Sequence, residues 1–136
     1  GRVEYRGRLN DHETAALLKG ARALLFPSLA EGFGLPLAEA LAAGVPAIVS
    51  DIAVFREHGG DVPEYVDPLD GPGWKSAILQ YAKVDSPQRA AQLERMKHWR
   101  PHTWQTHFET VQSVLETVAQ SPQRVTSQPS ADKTSR

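Results

Sequence analysis

Short strand-like runs alternate with segments of helical pattern along the chain, and this alternation restricts the possible folds more than any other feature. The strand-like runs are residues 2–6, 23–26, 46–50 and 64–67. The first helical segment lies between two of them, with Asn10 as its cap and Glu13 completing a capping box. Strand, helix and strand in strict order predict a parallel sheet whose crossovers are helices. The run at 23–26, closed by Pro27, is expected to be buried on both faces.

Further helices are predicted at about 35–43, 72–83 and 86–99, with a short helical or turn segment over 51–60. Four strands are fewer than the about six of a complete doubly wound domain. The sequence therefore predicts an α/β fold in which a Rossmann-like parallel sheet with flanking helices forms the second half of such a domain. A last helix can start at Thr103 and run to about residue 118. Because residues 121–136 are rich in Ser, Gln, Pro and Thr, we expect a folded domain over 1–120 and a disordered tail after it.

Composition argues against several classes of function. The 16 acidic and 15 basic residues leave a formal net charge of -1, which argues against a nucleic-acid partner. The chain has no cysteine and therefore forms neither disulfides nor a thiolate nucleophile. Its apolar runs are too short to cross a bilayer and its start lacks a signal-peptide pattern, so we expect a cytoplasmic protein. The histidines lack the spacing of metal ligands, and no metal site is expected.

The stretch EGFGLPLAE, residues 31–39, places two carboxylates on either side of a glycine loop and a helix start. It follows a predicted strand and therefore lies at the carboxyl edge of the sheet, where ligands bind in open parallel sheets. Gly32 and Gly34 allow backbone amides to approach a ligand closely. The helix that begins near Leu35 adds its free amides and the positive end of its dipole. This combination predicts an anion site without a lysine.

Glu31 precedes the expected anion site, and Glu39 lies about one helical turn beyond it. A carboxylate can accept hydrogen bonds from two vicinal hydroxyls, so acids on both sides of an anion site suit a phosphate between two polyols. A nucleotide sugar has that layout, with the donor sugar, the diphosphate and the ribose in order. The alternative is that both acids are solvated surface groups, which are common in loops and first turns of helices.

The segment FPSLAEGFGLPLAEALAAGVPAIVSD resembles the C-terminal donor-binding domain of retaining glycosyltransferases of the GT-B fold, family 4. Their E-x7-E motif is matched by Glu31 and Glu39, and the likeness extends over residues 2 to about 118. It implies that Glu31 is catalytic and contacts hydroxyls of the donor sugar, and that Glu39 contacts the ribose. It further implies a GDP- or UDP-linked donor, no other cofactor, and transfer with retention. The donor-binding residues that it implies are Glu31, Gly32, Phe33, Gly34, Leu35 and Glu39.

The same resemblance implies that the loop of Gly7, Arg8 and Leu9 lies near the nucleotide base. The partners it implies are the nucleotide sugar and a glycan or lipid-linked acceptor, which binds an N-terminal domain. The full enzyme would then associate peripherally with the inner face of the membrane. Family members also carry an Arg/Lys pair that neutralises the diphosphate on an earlier loop. Neither that loop nor the acceptor domain is found in this sequence, so we expect the chain alone to be inactive.

Two other functions remain open from the sequence. A non-catalytic module derived from such a transferase would bind nucleotide or a partner without transferring sugar. A phosphorylase or sugar-nucleotide epimerase on the same fold is a weaker alternative, because no segment resembles a pyridoxal-binding lysine site. Ser28, Ser50 and Asp51 lie at ends of predicted strands, where capping competes with ligand contact as their role. Arg56 and Glu57 are interpreted as surface charges of a helix.

Overall fold

Helices flank a small parallel sheet in the computed structural model, which describes residues 2–101. The helices are α1 (Asp11–Gly20), α2 (Leu35–Ala42), α3 (Ala53–Gly59), α4 (Gly71–Ala82) and α5 (Pro87–Met96). The strands are β1 (Leu24–Phe26), β2 (Ala47–Ser50) and β3 (Glu64–Val66). Their order in the sheet is β1-β2-β3, all parallel, with Leu24 opposite Ala47 and Val49 opposite Tyr65. The predicted α/β fold, a Rossmann-like parallel sheet with flanking helices, is confirmed.

Local signals for helix starts and ends act as the sequence predicts. The Asn10 side chain accepts from the Glu13 amide, and the Glu13 carboxylate accepts from the Asn10 amide, each at 2.9 Å. Ser86 caps α5 through its hydroxyl. Pro36 lies in the first turn of α2, where its missing N–H costs nothing, and Gly44 follows the helix with a φ of 75°.

The core consists of two apolar layers on opposite faces of the central strand β2, whose four residues are all buried. Side chains of a strand alternate between its faces, so each layer takes every second residue of β2. One layer contains Leu37, Leu41, Ala47, Val49, Phe55 and Val62. The other contains Ile48, Val66, Trp74 and Tyr81. Burial on both faces is typical of a strand in a parallel sheet. The two layers hold β2 in place, and with it the loop that follows its carboxyl end.

Residues 2–6 do not form the strand that the sequence predicts, so residues 2–101 contain three strands and not four. Val3 and Tyr5 are 99% and 93% exposed, and Arg6 forms an ion pair with Glu4 at 3.2 Å. No strand within the described part of the chain pairs with this segment. A strand without a neighbour leaves its backbone groups to water and buries no apolar surface, so its β-like pattern alone does not stabilise it.

The prediction that β1 is buried on both faces is also wrong. Leu24 and Phe26 pack against the core, but Leu25 is 44% exposed. β1 is an edge strand of the sheet. Leu25 lies on the same face as Ile48 and Val66, but the layer around Trp74 covers those two residues and leaves Leu25 partly in solvent. The apolar run correctly predicts a strand, but it does not predict how much of that strand is buried by other elements.

No helix of residues 2–101 combines the length and the apolar content needed to cross a lipid bilayer. The predicted last helix from Thr103 and the predicted tail from Ser121 both lie outside the described residues.

The buried tyrosine of α4 makes stability depend on pH in the alkaline range. Tyr81 is 3% exposed, and its hydroxyl donates to Gln92 Oε1 at 3.0 Å. Burial, with a smaller effect of the Glu64 carboxylate, raises the pKa of Tyr81 from 10.0 to about 12. Between these pH values the unfolded chain releases a phenol proton that the folded chain retains. We therefore expect the free energy of unfolding to fall as the pH rises from 10 to about 12.

Urea unfolding followed across this pH range measures the effect of Tyr81. Burial also raises the pKa of Tyr65 to about 12, so this side chain contributes in the same direction. The variant Tyr81→Phe keeps the ring but has no proton to lose, and its stability should decline less steeply above pH 10. The same slope in the variant and the unmodified chain would contradict the assignment to Tyr81.

Candidate functional site

The loop between β1 and α2 lies at the carboxyl edge of the sheet, as the sequence predicts for a binding site. β1 ends at Phe26, and residues 27–34 connect it to the first turn of α2. β2 and β3 are parallel to β1, so Asp51 and Asp67, which follow them, lie at the same edge. Ligands bind at this edge in open parallel sheets because the loops that follow the strands converge there.

The backbone conformation of Gly34 turns the loop sharply into the first turn of α2. It is the N-cap of the helix, with φ of 62° and ψ of 30°, a left-handed conformation that favours glycine. It is also buried, and a Cβ placed on it would lie 3.2 Å from two ring carbons of Phe55. Phe55 is fully buried and packs its ring 5.1 Å from that of Phe26. Both the backbone conformation and the tight contact therefore require a residue without a side chain.

Substituting Gly34 tests this geometry. We expect Gly34→Ala to lower the free energy of unfolding by about 1–3 kcal/mol, because an alanine is strained at positive φ and crowds the Phe55 ring. Gly32→Ala is a matched control in the same loop, since Gly32 is exposed and has no atom within 4 Å of an added Cβ. Urea unfolding of the two variants measures the difference. Equal losses would show that the loop does not depend on the conformation of Gly34.

The backbone amides at the start of α2 are available to a ligand. Those of Gly32, Phe33, Gly34 and Leu35 donate to no acceptor within residues 2–101. The first amide of the helix that is satisfied is that of Leu37, which donates to the Gly34 carbonyl at 3.1 Å. Free amides at a helix N-terminus, together with the helix dipole, form a site that favours anions. The arrangement can therefore hold a phosphate without a basic side chain.

Ser28 holds Glu31 beside this loop. The Ser28 hydroxyl donates to Glu31 Oε1 at 2.8 Å, with the Ala30 carbonyl as a second acceptor at 2.9 Å. Glu31 is half-buried, and its Oε2 makes no hydrogen bond to the residues that the structure describes. Sequence reasoning left Ser28 between capping and ligand contact and missed this role. Its position just after a strand and three residues before an acid is the signal that could have suggested it.

Glu39 lies on the other side of the loop, exposed on α2. It borders a groove of about 410 Å³ between α1 and α2, whose other lining residues include Asp11, Thr14, Leu18 and Lys19. No hydrogen bond or ion pair within residues 2–101 engages the Glu39 carboxylate. A ligand in this groove would therefore meet a carboxylate whose acceptor positions are open.

Three of the predicted residues make no polar contact with the loop in the described part of the chain. Gly7 has a φ of 65° and Arg8 is exposed, while Leu9 is half-buried. No hydrogen bond or ion pair in the described part of the chain connects these three residues to the glycine loop. Their proximity to a nucleotide base stays a prediction.

Asp51 and Arg56 form a bidentate ion pair at the end of β2. The Arg56 Nε and Nη2 donate to Asp51 at 2.7 and 2.9 Å, and the guanidinium lies 3.8 Å from the centre of the Tyr65 ring. The hydrogen bonds from Arg56 hold the pKa of the Asp51 carboxyl below its usual range. Asp51 is thus engaged by Arg56 and caps no helix, since the N-cap residue of α3 is Ile52.

Among residues 2–101 there is no cluster of three or more Asp, Glu or His side chains that could hold a metal ion. The groups that flank the start of α2 are the carboxylates of Glu31 and Glu39, the Ser28 hydroxyl and a row of backbone amides. They can accept hydrogen bonds from hydroxyls and donate hydrogen bonds to an anion.

Comparison with known proteins identifies relatives of this chain. Residues 1–61, which include the loop and Glu39, match the family model for group 1 glycosyl transferases. The chain is 32% identical over 105 residues to O-antigen chain mannosyltransferase B of Escherichia coli, covering 77% of the chain and 28% of that protein. It is 43% identical over 77 residues to O-antigen chain mannosyltransferase RfbU of Salmonella typhimurium, covering 57% and 22%. It is 28% identical over 126 residues to a phosphatidyl-myo-inositol mannosyltransferase of Mycobacterium leprae, covering 90% and 34%. The chain thus spans between 22% and 34% of the length of these relatives.

Proposed function

The chain is a glycosyltransferase domain of the GT-B, family 4 type, and we propose that it is the donor-binding region of a hexosyltransferase. The enzyme transfers a hexose, with mannose favoured, from a GDP- or UDP-linked donor to a glycan or lipid-linked acceptor, with retention of anomeric configuration. The observation that carries the proposal is the row of amides from Gly32 to Leu35, which lies between Glu31 and Glu39 and has no acceptor within residues 2–101. The three relatives named above are mannosyltransferases by name, which supports mannose as the transferred sugar.

The diphosphate of the donor binds the amides at the start of α2. An anion there gains hydrogen bonds from amides that have no acceptor within residues 2–101, and it gains the favourable end of the helix dipole. This assignment leaves the two ends of the donor beside the two carboxylates. The donor sugar lies toward Glu31, and the ribose lies in the groove that Glu39 borders.

The carboxylates of Glu31 and Glu39 each accept hydrogen bonds from hydroxyl groups of the donor. Hydrogen bonds to a charged acceptor contribute about 1.5–3 kcal/mol each, roughly twice as much as those between neutral groups. Glu39 is placed to accept from both ribose hydroxyls because its carboxylate has no partner among the described residues. The Ser28 hydroxyl holds one oxygen of Glu31 at 2.8 Å, and the other makes no hydrogen bond to the described residues, so Glu31 orients the hexose from a fixed position.

During transfer the bond between the anomeric carbon and the diphosphate oxygen breaks, and negative charge develops on the departing diphosphate. The loop amides and the dipole of α2 stabilise that charge where it develops. Glu31 keeps the hexose oriented while the acceptor oxygen forms its bond to the anomeric carbon and its hydroxyl proton leaves. The donor-binding residues bind neither the acceptor nor its proton, and both of these roles fall to other groups of the enzyme.

Sugar transfer also requires a part of the enzyme that binds the acceptor and positions it against the donor. Positioning two reactants together can be worth about 7–11 kcal/mol of the barrier to reaction. We therefore expect the 136-residue chain alone to bind nucleotide weakly and to transfer no sugar. Peripheral binding of the whole enzyme to the inner face of a membrane would bring it to a lipid-linked acceptor.

A non-catalytic nucleotide-binding module is the second candidate, and one observation favours it. No Lys or Arg side chain of residues 2–101 forms a hydrogen bond or ion pair with the loop from Ser28 to Leu35. A transferase gains rate from basic groups on the leaving diphosphate, whereas a binding module has no departing charge to stabilise.

Sugar transfer by the whole protein that contains this chain separates the two functions. The protein is incubated with radiolabelled GDP-mannose or a UDP-hexose and an acceptor mixture, and binding of the same nucleotides is measured by calorimetry. The enzyme proposal predicts labelled product that is lost in a Glu31→Gln variant. Nucleotide binding without product would favour the module, and absence of both would contradict the assignment of a donor site.

A further inference from the structure

Two side chains of helix α3 pack against the glycine loop. Phe55 and His58 are three residues apart in the helix and therefore lie on the same face. The Phe55 ring lies under Gly34, where an added Cβ would be 3.2 Å away, and the nearest His58 ring carbon would be 3.9 Å from the same point. The loop and α3 are thus in direct contact at the residue where α2 begins.

The His58 imidazole stacks on the ring of Phe33. The two ring centroids are 5.8 Å apart and the planes differ by 27°. Phe33 is otherwise 63% exposed, so its ring contributes little to the apolar core. Because most of the Phe33 ring is in solvent, its stack on His58 adds little to the stability of the fold. The stack acts mainly on the conformation of the loop.

The fold holds the backbone of His58 in place. His58 is half-buried in the last turn of α3, and its carbonyl accepts from the Trp99 indole N–H at 3.0 Å. Trp99 packs against the core layer that contains Phe55. The end of α3 that carries His58 is therefore anchored to the core.

We propose that His58 is a positioning residue for the donor site: its stack on Phe33 holds the amides of the glycine loop in the conformation that binds the diphosphate. The part concerning diphosphate rests on the proposed function. The Phe33 amide has no acceptor within residues 2–101, and Phe33 directly precedes Gly34, whose left-handed backbone directs the chain into α2. Fixing the Phe33 ring restricts the two peptide groups on either side of it. A preorganised loop binds its ligand more tightly because less conformational freedom is lost on binding.

The size of the effect follows from the contact. Stacked aromatic pairs stabilise by an amount that corresponds to about twofold to tenfold in an equilibrium constant. We expect His58→Ala to weaken GDP binding by about that factor, with little change in melting temperature. His58→Phe keeps a ring of similar width and should bind GDP within about twofold of the unmodified chain. His58→Gln serves as a second variant without an aromatic ring if His58→Ala folds poorly.

The experiment combines calorimetric titration with GDP and nitrogen-15 relaxation of the loop amides. The proposal predicts that the amides of Phe33 and Gly34 become more mobile in His58→Ala and keep their order in His58→Phe. Phe33→Leu should weaken GDP binding as His58→Ala does, and the double variant should be no weaker than either single one. GDP affinity unchanged in His58→Ala, His58→Phe as weak as His58→Ala, or additive losses in the double variant would each overturn it.

The relaxation measurement separates this inference from the proposed function. If the unmodified chain binds neither GDP nor UDP, but its loop loses order without the His58 ring, the donor-site proposal fails and the positioning contact stands. If nucleotide binds and the loop amides are indifferent to the His58 ring, the donor site stands and the positioning role is excluded.

Discussion

Glu31→Gln in the complete enzyme is expected to lower sugar transfer by about 100-fold or more while leaving the affinity for free GDP within about twofold. Glu31 faces the sugar in the proposed site, and free GDP has no sugar at that position. The substitution keeps the size of the side chain and an oxygen for the Ser28 hydroxyl, which now donates at 2.8 Å. It removes the negative charge that accepts from the hexose, and two charge-assisted hydrogen bonds at about 1.5–3 kcal/mol each account for the loss.

Steady-state transfer rates and calorimetric titration with GDP measure the two effects separately. Glu94→Gln is a suitable control, because Glu94 is exposed on α5 and its side chain contacts only Lys97 among residues 2–101, in a surface ion pair. It should alter neither quantity. If Glu31→Gln weakens GDP and lowers transfer by the same factor, Glu31 shapes the loop and does not read the sugar.

Glu39→Ala is expected to weaken binding of nucleoside diphosphates by about tenfold or more. Glu39 borders the groove between α1 and α2, and the proposal assigns it both hydroxyls of the ribose. The contribution of each lost hydrogen bond, about 1.5–3 kcal/mol, gives this range. Because Glu39 is exposed, its removal should leave the melting temperature almost unchanged.

A comparison of GDP with 2′-deoxy-GDP makes the test of Glu39 specific to the ribose. The unmodified chain should bind the deoxy ligand more weakly, since one hydroxyl is missing. In Glu39→Ala the two ligands should bind equally, because the group that distinguishes them is gone. A preference for GDP that persists in the variant would show that another residue contacts the 2′-hydroxyl.

Local features of the fold follow from the sequence because they depend on residues close together in the chain. The capping box of Asn10 and Glu13, the proline in the first turn of α2 and the glycine after its end all satisfy backbone groups within a few residues. Such rules need no knowledge of tertiary packing. They gave the approximate bounds of the helices within residues 2–101, although the segment that forms α3 was left open between helix and turn.

The errors concern properties that depend on distant parts of the chain. Residues 2–6 have the pattern of a strand, but a strand requires a neighbour, and no pattern within the segment states whether one is present. Leu25 is apolar and lies in a strand, yet its exposure depends on whether a helix from elsewhere covers that face. Sheet pairing and cover are tertiary properties, so short windows of sequence do not determine them.

The candidate site shows the same division. The amides, Glu31 and Glu39 could be proposed from one continuous stretch of nine residues. The stack between Phe33 and His58 joins residues 25 positions apart, and nothing in the spacing of the sequence indicates it. The Ser28 contact is local, but serine after a strand has several common roles, so geometry was needed to choose among them.

A nitrogen-15 correlation spectrum of the chain titrated with GDP tests the donor site most directly. The account predicts that the amide signals of Gly32, Phe33, Gly34 and Leu35 shift together with saturating concentration dependence. The signal of Glu39 should follow, and those of α5, which lies elsewhere in the fold, should stay unchanged. GDP that leaves the loop signals in place, or shifts only signals outside the loop and α2, would contradict a donor-binding site at the start of this helix.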